Sequence, residues 1–493
     1  MRSTKSSTDP EVVIVGSGLS GAAVADTLRR RGISSVIFEA GAIPYALAGQ
    51  RFESMAEYRD FVRPCWEVNE TNWNYEADRN VFDWIRVRAA GGRSLRWRGW
   101  LAKPQLENFT IASGPRGRWP FAPAEMDALY SRAFRWLNAT SSALNSRFID
   151  LADRCNEQVC PKIAAASIDR IRPLCSIDRL AKEPRCRGRA GRIVVREQVA
   201  VTRVICAGNK TEGVEYCELI TGKTRHIGAS VVVLAASPIE TTRLLLLSDL
   251  ERQTDAWALI GKNYLDHIAA SYLAILPDRP MESSGAGLLQ GSATMPLAGR
   301  SRAFREAYGG FTIELNGPNP ASFYESEILS AAGLDPVEDR HVACIGVNAI
   351  GELLRSPKRS VSLAEGRDGL LRPMPNIRIG WEESDLTLAR KMESEAELIA
   401  TILAGKGGRA VKVRKTLTLG GTGTSHEAGT CPIGLADRDS VTYLDGRVHG
   451  IGGLYIADAS LFPTALDCHP TLTVVALALN TADGITRRMR IGG

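Results

Sequence analysis

At 493 residues the chain is long for a single core, and its 44% hydrophobic and 24% charged residues fit a globular protein of two domains. A net charge of +6 is mild, and Arg29-Arg30-Arg31 is too short a basic run to read as a nucleic-acid stripe. No segment is apolar over a bilayer's thickness, and the polar stretch Met1 to Pro10 lacks a signal core, so the sequence predicts a cytoplasmic protein whose ten cysteines are thiols.

Val12-Val13-Ile14-Val15 reads as a central parallel strand, because it is apolar on both faces. Gly16-Ser17-Gly18-Leu19-Ser20-Gly21 follows at once, then a helix from Ala22 to Arg31 closed by Gly32, and a second strand at Val36-Ile37-Phe38. In such a βαβ unit Gly16 permits a tight turn, Gly18 lets backbone approach a pyrophosphate, and Gly21 lets helix pack on strand. The helix N-terminus offers free N–H groups and a positive dipole end to phosphate. Glu39 stands 18 residues after Gly21, where a carboxylate can accept from both ribose hydroxyls and would repel a 2′-phosphate, which disfavours NADP. The motif serves FAD and NAD alike.

Ala89 to Trp100 is a Gly-rich loop with two tryptophans and three arginines, suited either to a surface turn or to packing on a flat aromatic cofactor. Cys155, Cys160, Cys175 and Cys186 cluster without a zinc or iron–sulfur spacing, so they read as loop or core thiols. Val199 to Val204, Gly213 to Ile220 and Thr224 to Ile227 alternate like a small antiparallel meander. Val231 to Ala236 is a second buried strand, and Pro238 opens a helix. Residues 270–410 read as short strands interrupted by Pro277 to Gly287 and Asn316 to Pro320, followed by a long amphipathic helix from Glu382 to Lys406. His426 and His469 sit in motifs that read as an acid-base pair, whereas His449 reads as structural and His267 as a helix-end or domain-contact residue.

Together these segments resemble the glucose–methanol–choline (GMC) family of FAD oxidoreductases. The likeness rests on the glycine motif with Glu39-Ala40-Gly41, the Gly91-to-Trp97 loop, residues 231–248, 260–267 and 426–434, and 447–463 followed by 469–473. It implies an α/β fold: a Rossmann-like doubly wound FAD-binding domain from 1–109, 186–269 and 411–493, with a discontinuous α+β substrate domain from 110–185 and 270–410. It implies that Gly16, Gly18, Gly21 and Glu39 hold the ADP half of FAD and that the Val201 backbone meets adenine. Gly92 and Ser94 would lie along the pyrophosphate and isoalloxazine edge, Asp458 near the pyrophosphate and ribityl chain, and Pro470 and Thr471 at the pyrimidine end. His426 matches the family's catalytic histidine and His469 its second site residue. Some relatives tether FAD through a histidine just before the loop tryptophan; here Arg96 precedes Trp97, which implies non-covalent FAD.

The resemblance implies oxidation of a small-molecule alcohol or sugar. His426 would be the general base, His469 would orient the oxygen, and O₂ or another acceptor would reoxidise the flavin. The alternative within the fold is a non-redox lyase or photodecarboxylase.

Overall fold

A computed structural model describes residues 10–42, 75–95, 97, 101–110, 117–139, 164–165, 180, 190–248, 250, 255–276, 292–295, 302–324, 326–420 and 424–491. In chain order its main elements begin with β1 (Val12–Val15), α1 (Leu19–Arg30), β2 (Ser35–Phe38), α2 (Pro123–Leu137) and β3 (Ile193–Arg196). The meander follows as β4 (Val199–Ala207), β5 (Lys210–Glu218) and β6 (Thr224–Gly228), then β7 (Val231–Leu234) and α3 (Pro238–Leu247). Next come β8 (His267–Leu276), β9 (Phe311–Pro320), β10 (Ala343–Glu352), α4 (Glu383–Ala404) and β11 (Arg409–Lys412). The chain then returns with β12 (Leu454–Ile456) and α5 (Thr471–Ile491).

The first sheet is five-stranded and wholly parallel, in the order β12-β7-β1-β2-β3. Every residue of β1 is buried, as expected of a strand with neighbours on both edges and cover on both faces. α1 packs on α5 along one side, and glycine makes the βαβ turn possible. This is the doubly wound, Rossmann-like part of an α/β fold.

The second sheet is six-stranded and antiparallel: β11-β8-β10-β9, extended by short strands at 292–295 and 164–165. Side chains alternate across it. Ile268, Ala270, Ile313, Leu315, Val347 and Ala349 form a core with Leu388, Met392, Ala396 and Ile399 of α4. Gly351 allows the helix to come this close, since a Cβ there would lie 2.3 Å from Met392 Sδ. The opposite face carries Ser271, Glu314, Asn316 and Asn348 and lines a cavity. One face is therefore sealed by a helix, and the other is left for a ligand.

Two expectations need correction. The strands of this region are not short: β8, β9 and β10 each run for ten residues. The proline-rich Asn316–Pro320 stretch lies inside β9 because a register shift between Asn316 and Asn319 absorbs it, with Gly317 at φ +130. Secondly, α2, expected in the substrate domain, packs on the first core through Met126, Leu129, Tyr130 and Ala133. Tyr130 shares a 3.0 Å hydrogen bond with Thr473 of α5, and Trp136 Nε1 donates to Asp26 of α1 at 3.0 Å. Its apolar stripe finds its cover there.

Pro277 to Gly287, the four clustered cysteines and Arg96 lie outside the described residues. Among the described residues, no helix is long and apolar enough to cross a membrane, and no side-chain group could hold a metal ion.

Candidate active site

The glycine motif divides its labour by position. Gly16 has φ +101, and a Cβ on it would meet the Ala235 carbonyl oxygen at 2.5 Å. A Cβ on Gly21 would lie 2.1 Å from the Gly16 carbonyl oxygen. Those two glycines are required by the protein's own packing. Gly18 differs, since a Cβ there would meet no protein atom within 4 Å. Gly92 faces it, and a Cβ on Gly92 would find only the Gly18 backbone, the nearest atom 3.6 Å away. Both line the cavity at the N-terminus of α1, whose cap makes no side-chain hydrogen bond. A diphosphate fits this cradle, because it gains N–H donors and the dipole's positive end.

Glu39 ends β2 buried. It accepts from Ser17 N at 3.1 Å, Ser17 Oγ at 2.6 Å and Gly41 N at 2.8 Å. Burial raises its pKa, opposed by these donors and by Arg88. Val201 lines the same cavity, and its carbonyl accepts from Arg372 Nη1 at 3.3 Å. Ser94 donates through Oγ to Gly91 O at 2.6 Å, locking the short helical turn Gly92–Leu95.

At the other end three imidazoles meet. His426 Nε2 lies 3.0 Å from His469 Nδ1, and His426 Nδ1 lies 3.2 Å from His267 Nδ1. His469 Nε2 in turn lies 2.8 Å from Glu314 Oε1. Burial, and then the neighbouring His469, His267 and Arg93, push the His426 pKa well below the usual histidine value. Asp266 pins the backbone of the pair, accepting from His267 N at 2.7 Å and His426 N at 3.1 Å. Arg93 ties the Gly-rich loop to this segment, donating to Ser425 O at 2.8 Å, to Ser237 Oγ at 2.6 Å and to the Glu427 carboxylate. Burial alone would depress Arg93, but Glu427 beside it holds its pKa above the ordinary value.

Asp458 lines the cavity while capping the turn Ala459–Leu461. It accepts from Ser460 N at 2.9 Å and from Thr241 Oγ1 at 2.5 Å. Pro470 and Thr471 line it where α5 starts. A single cavity of about 680 Å³ thus touches Gly16, Gly18, Glu39, Gly92, Ser94, Val201, Asp458, Pro470, Thr471, His426 and His469. Gly21 is not among its lining residues; its part is the helix–strand packing described above.

Of the two readings of His267, helix end and domain contact, the structure removes the first, and sequence reasoning missed Glu314. His267 is no helix end. It is the first residue of β8, fully buried, and against His426. The signal was an Asp-His pair directly before nine residues that are nearly all apolar, which sets the imidazole at the mouth of a buried strand. For Glu314 the signal was alternation: Thr312, Glu314 and Asn316 interleave with Phe311, Ile313 and Leu315, a polar face on a strand that is buried from Phe311 to Gly317. His449 pairs with Ser440 Oγ at 2.8 Å and meets the Tyr443 ring edge to face, so it holds structure.

Comparison with known proteins gives consistent matches. Family models described as GMC oxidoreductase match residues 186–269 and 357–478, and an NAD(P)-binding Rossmann-like domain matches residues 14–50. The chain is 27% identical to a 2-methyl-1,2-propanediol dehydrogenase of Mycolicibacterium austroafricanum, over 60% of this chain and 54% of that protein. It is 27% identical to a C-glycoside 3-oxidase of Microbacterium trichothecenolyticum, over 58% of this chain and 52% of the other. The chain thus spans about half the length of these relatives. In fold it is similar to the crystal structure of pyridoxine 4-oxidase from "Mesorbium loti", with TM-score 0.63 and 16% identity over 97% of this chain and 99% of that one.

Proposed function

The chain belongs to the GMC oxidoreductase family, and from that premise we propose that it holds FAD without a covalent link and oxidises an alcohol group of a small polar molecule to a carbonyl. The observation that carries this reading is the contact of His426 with His469 at 3.0 Å inside the cavity that also contains the glycine cradle. Gly16, Gly18 and Gly92 would admit the diphosphate, Glu39 the ribose hydroxyls and Val201 the adenine. Ser94, Asp458, Pro470 and Thr471 would border the flavin half. The cofactor-binding part is then 1–109, 186–269 and 411–493 with α2 added, and the substrate-binding part is built on 270–410.

FAD bound there supplies the hydride acceptor. The chain's own work is the proton. His426 is neutral near pH 7, because burial, and after it the neighbouring His469, His267 and Arg93, disfavour its cation, so it can take the hydroxyl proton. His469 orients the substrate oxygen and stabilises charge that develops on it. Ser271, Asn348 and Glu314 stand opposite one another across β8, β10 and β9, a row of polar groups along the cavity floor. Such a floor suits a hydroxyl-rich substrate, and the diol and glycoside activities named for the relatives are of this kind. O₂ or another acceptor would serve as the final oxidant.

The test is anaerobic mixing of the purified yellow protein with a panel of polyols, sugars and amino sugars. Bleaching of the flavin by one of them, abolished in His426→Ala, is the expected result. If no alcohol bleaches a fully loaded protein, the reading fails.

A further inference from the structure

Three histidines from separate segments form one line, and the atom at its far end fixes the direction of every hydrogen bond along it. His267 Nε2 lies 2.8 Å from the Leu466 carbonyl oxygen. A carbonyl can only accept, so that nitrogen carries the hydrogen. The ring is fully buried, and this burial, with His469 nearby, pushes its pKa down to about 4, so His267 is neutral. Its Nδ1 is then a bare acceptor, 3.2 Å from His426 Nδ1. Two bare nitrogens would repel, so His426 donates from Nδ1. A neutral His426 therefore has a bare Nε2, the atom that meets His469 Nδ1 at 3.0 Å. His469 must then donate from Nδ1, which leaves its Nε2 facing Glu314 Oε1 at 2.8 Å, a contact that needs one proton between its partners.

We propose that His267 is a positioning residue: anchored on the Leu466 carbonyl, it holds His426 as the Nδ1–H tautomer and so keeps Nε2 unprotonated, the acceptor that meets His469 Nδ1. Free imidazole side chains favour hydrogen on Nε2, so the tautomer a base needs here is one the protein must impose. The other groups around His426 do not impose it. Asp266 accepts from its backbone N–H, Arg93 and Glu427 act from the loop and the adjacent position, and His469, itself against Glu314, meets Nε2. Among the described residues it is His267 whose hydrogen bond reaches Nδ1.

The proposal borrows the base role of His426 from the reading above, but the tautomer can be measured without substrate or turnover. Flavin-loaded protein is labelled with ¹⁵N in its histidine rings, and the His426 signals are assigned by their loss in His426→Gln. The expected spectrum has hydrogen on Nδ1 of His426 and none on Nε2. His267→Leu should shift it toward the Nε2–H form. His267→Asn, whose side-chain oxygen can sit where Nδ1 was, should restore the wild-type pattern. Flavin reduction should fall on the order of ten- to a hundred-fold in His267→Leu, the scale on which partners that orient a histidine act, and recover in His267→Asn. An Nε2–H His426 in the wild type, or an unchanged tautomer in a folded His267→Leu, overturns the proposal. If His267→Leu does not fold, the wild-type spectrum still decides. A correct tautomer in a protein that oxidises no alcohol would sink the function and spare the inference.

Discussion

The two ends of the cavity are built in opposite ways. The nucleotide end is built around one short stretch, β1, the glycine turn, α1 and Glu39 at the end of β2, all within residues 12–39, with Gly92 and Val201 added from elsewhere. Its geometry follows from local rules, since glycine makes the turn, a parallel strand precedes it, and a helix dipole follows it. The histidine end is collected from four places far apart in sequence, namely His267 on β8, Glu314 on β9, His426 in a loop and His469 before α5. It exists only when both sheets have formed and α4 has turned the polar face of the second one inward. The frame of the binding end is therefore local in this chain, and the chemistry is wholly tertiary. Damage at the two ends should separate accordingly.

The strongest break is expected at the histidine end. His426→Ala should keep its FAD, because the residue lies away from the cradle, yet slow anaerobic flavin reduction by about 10²–10⁴, the usual worth of a general base. His469→Ala should slow it less, since water in the enlarged site can replace part of its hydrogen bonding. The double variant should match His426→Ala, because groups that act as a unit are not additive. Stopped-flow reduction with an identified substrate measures all three. Equal rates in wild type and His426→Ala would remove His426 from the chemistry.

At the nucleotide end the loss should be retention rather than rate. Glu39→Ala removes the acceptor of Ser17 N, Ser17 Oγ and Gly41 N, and each buried donor left unpaired costs about 1–3 kcal/mol. The variant should release flavin on dilution and melt earlier, while the fraction still loaded reduces at the wild-type rate. Full occupancy with slow reduction would contradict the division between the two ends.

A milder probe works within the glycine motif. Gly18→Ala adds a methyl where no protein atom lies within 4 Å, so the fold should tolerate it while flavin affinity drops. Gly21→Ala puts a Cβ 2.1 Å from the Gly16 carbonyl oxygen, so stability should drop first. Thermal melting of flavin-free protein separates the two, and equal destabilisation by both would show that Gly18 is a packing residue.

What could be read from the sequence follows the same division. The βαβ unit, the meander, β7 with α3, and α4 were legible because periodicity and glycine placement are local signals. His426 and His469 were legible through the motifs that hold them, though nothing in their separation of 43 residues states a 3.0 Å contact. The contact of His267 with His426 was not legible, because that partner stands 159 residues away and an Asp-His pair reads equally as a helix end. α2 was misassigned for a related reason. Its amphipathic stripe reveals that it packs, not whether α5 or the second sheet supplies the cover.

The smallest effect is a pH dependence of stability, and its sign tests whether the histidine end is buried as the fold requires. His267 has its pKa lowered from 6.5 to about 4 by burial, so the unfolded chain takes up a proton there before the folded one does. Its contribution is complete above pH 6.5 and is lost as pH falls from 6.5 toward about 4, at roughly 1.4 kcal/mol per pH unit for one fully shifted group. Asp266 acts in the opposite sense. Burial and the Glu427 carboxylate push its pKa up to about 8, so its contribution, present in acid, is lost as pH rises through that value. The total curve mixes both, and the measurement is therefore a difference. Urea unfolding of wild type and His267→Asn between pH 7 and pH 5 should give free energies that converge as pH falls, because the titrating ring is missing from the variant while the backbone N–H that Asp266 accepts from remains. Parallel curves would mean that His267 gains its proton in both states alike, and the ring could not be the neutral anchor at the end of the histidine line.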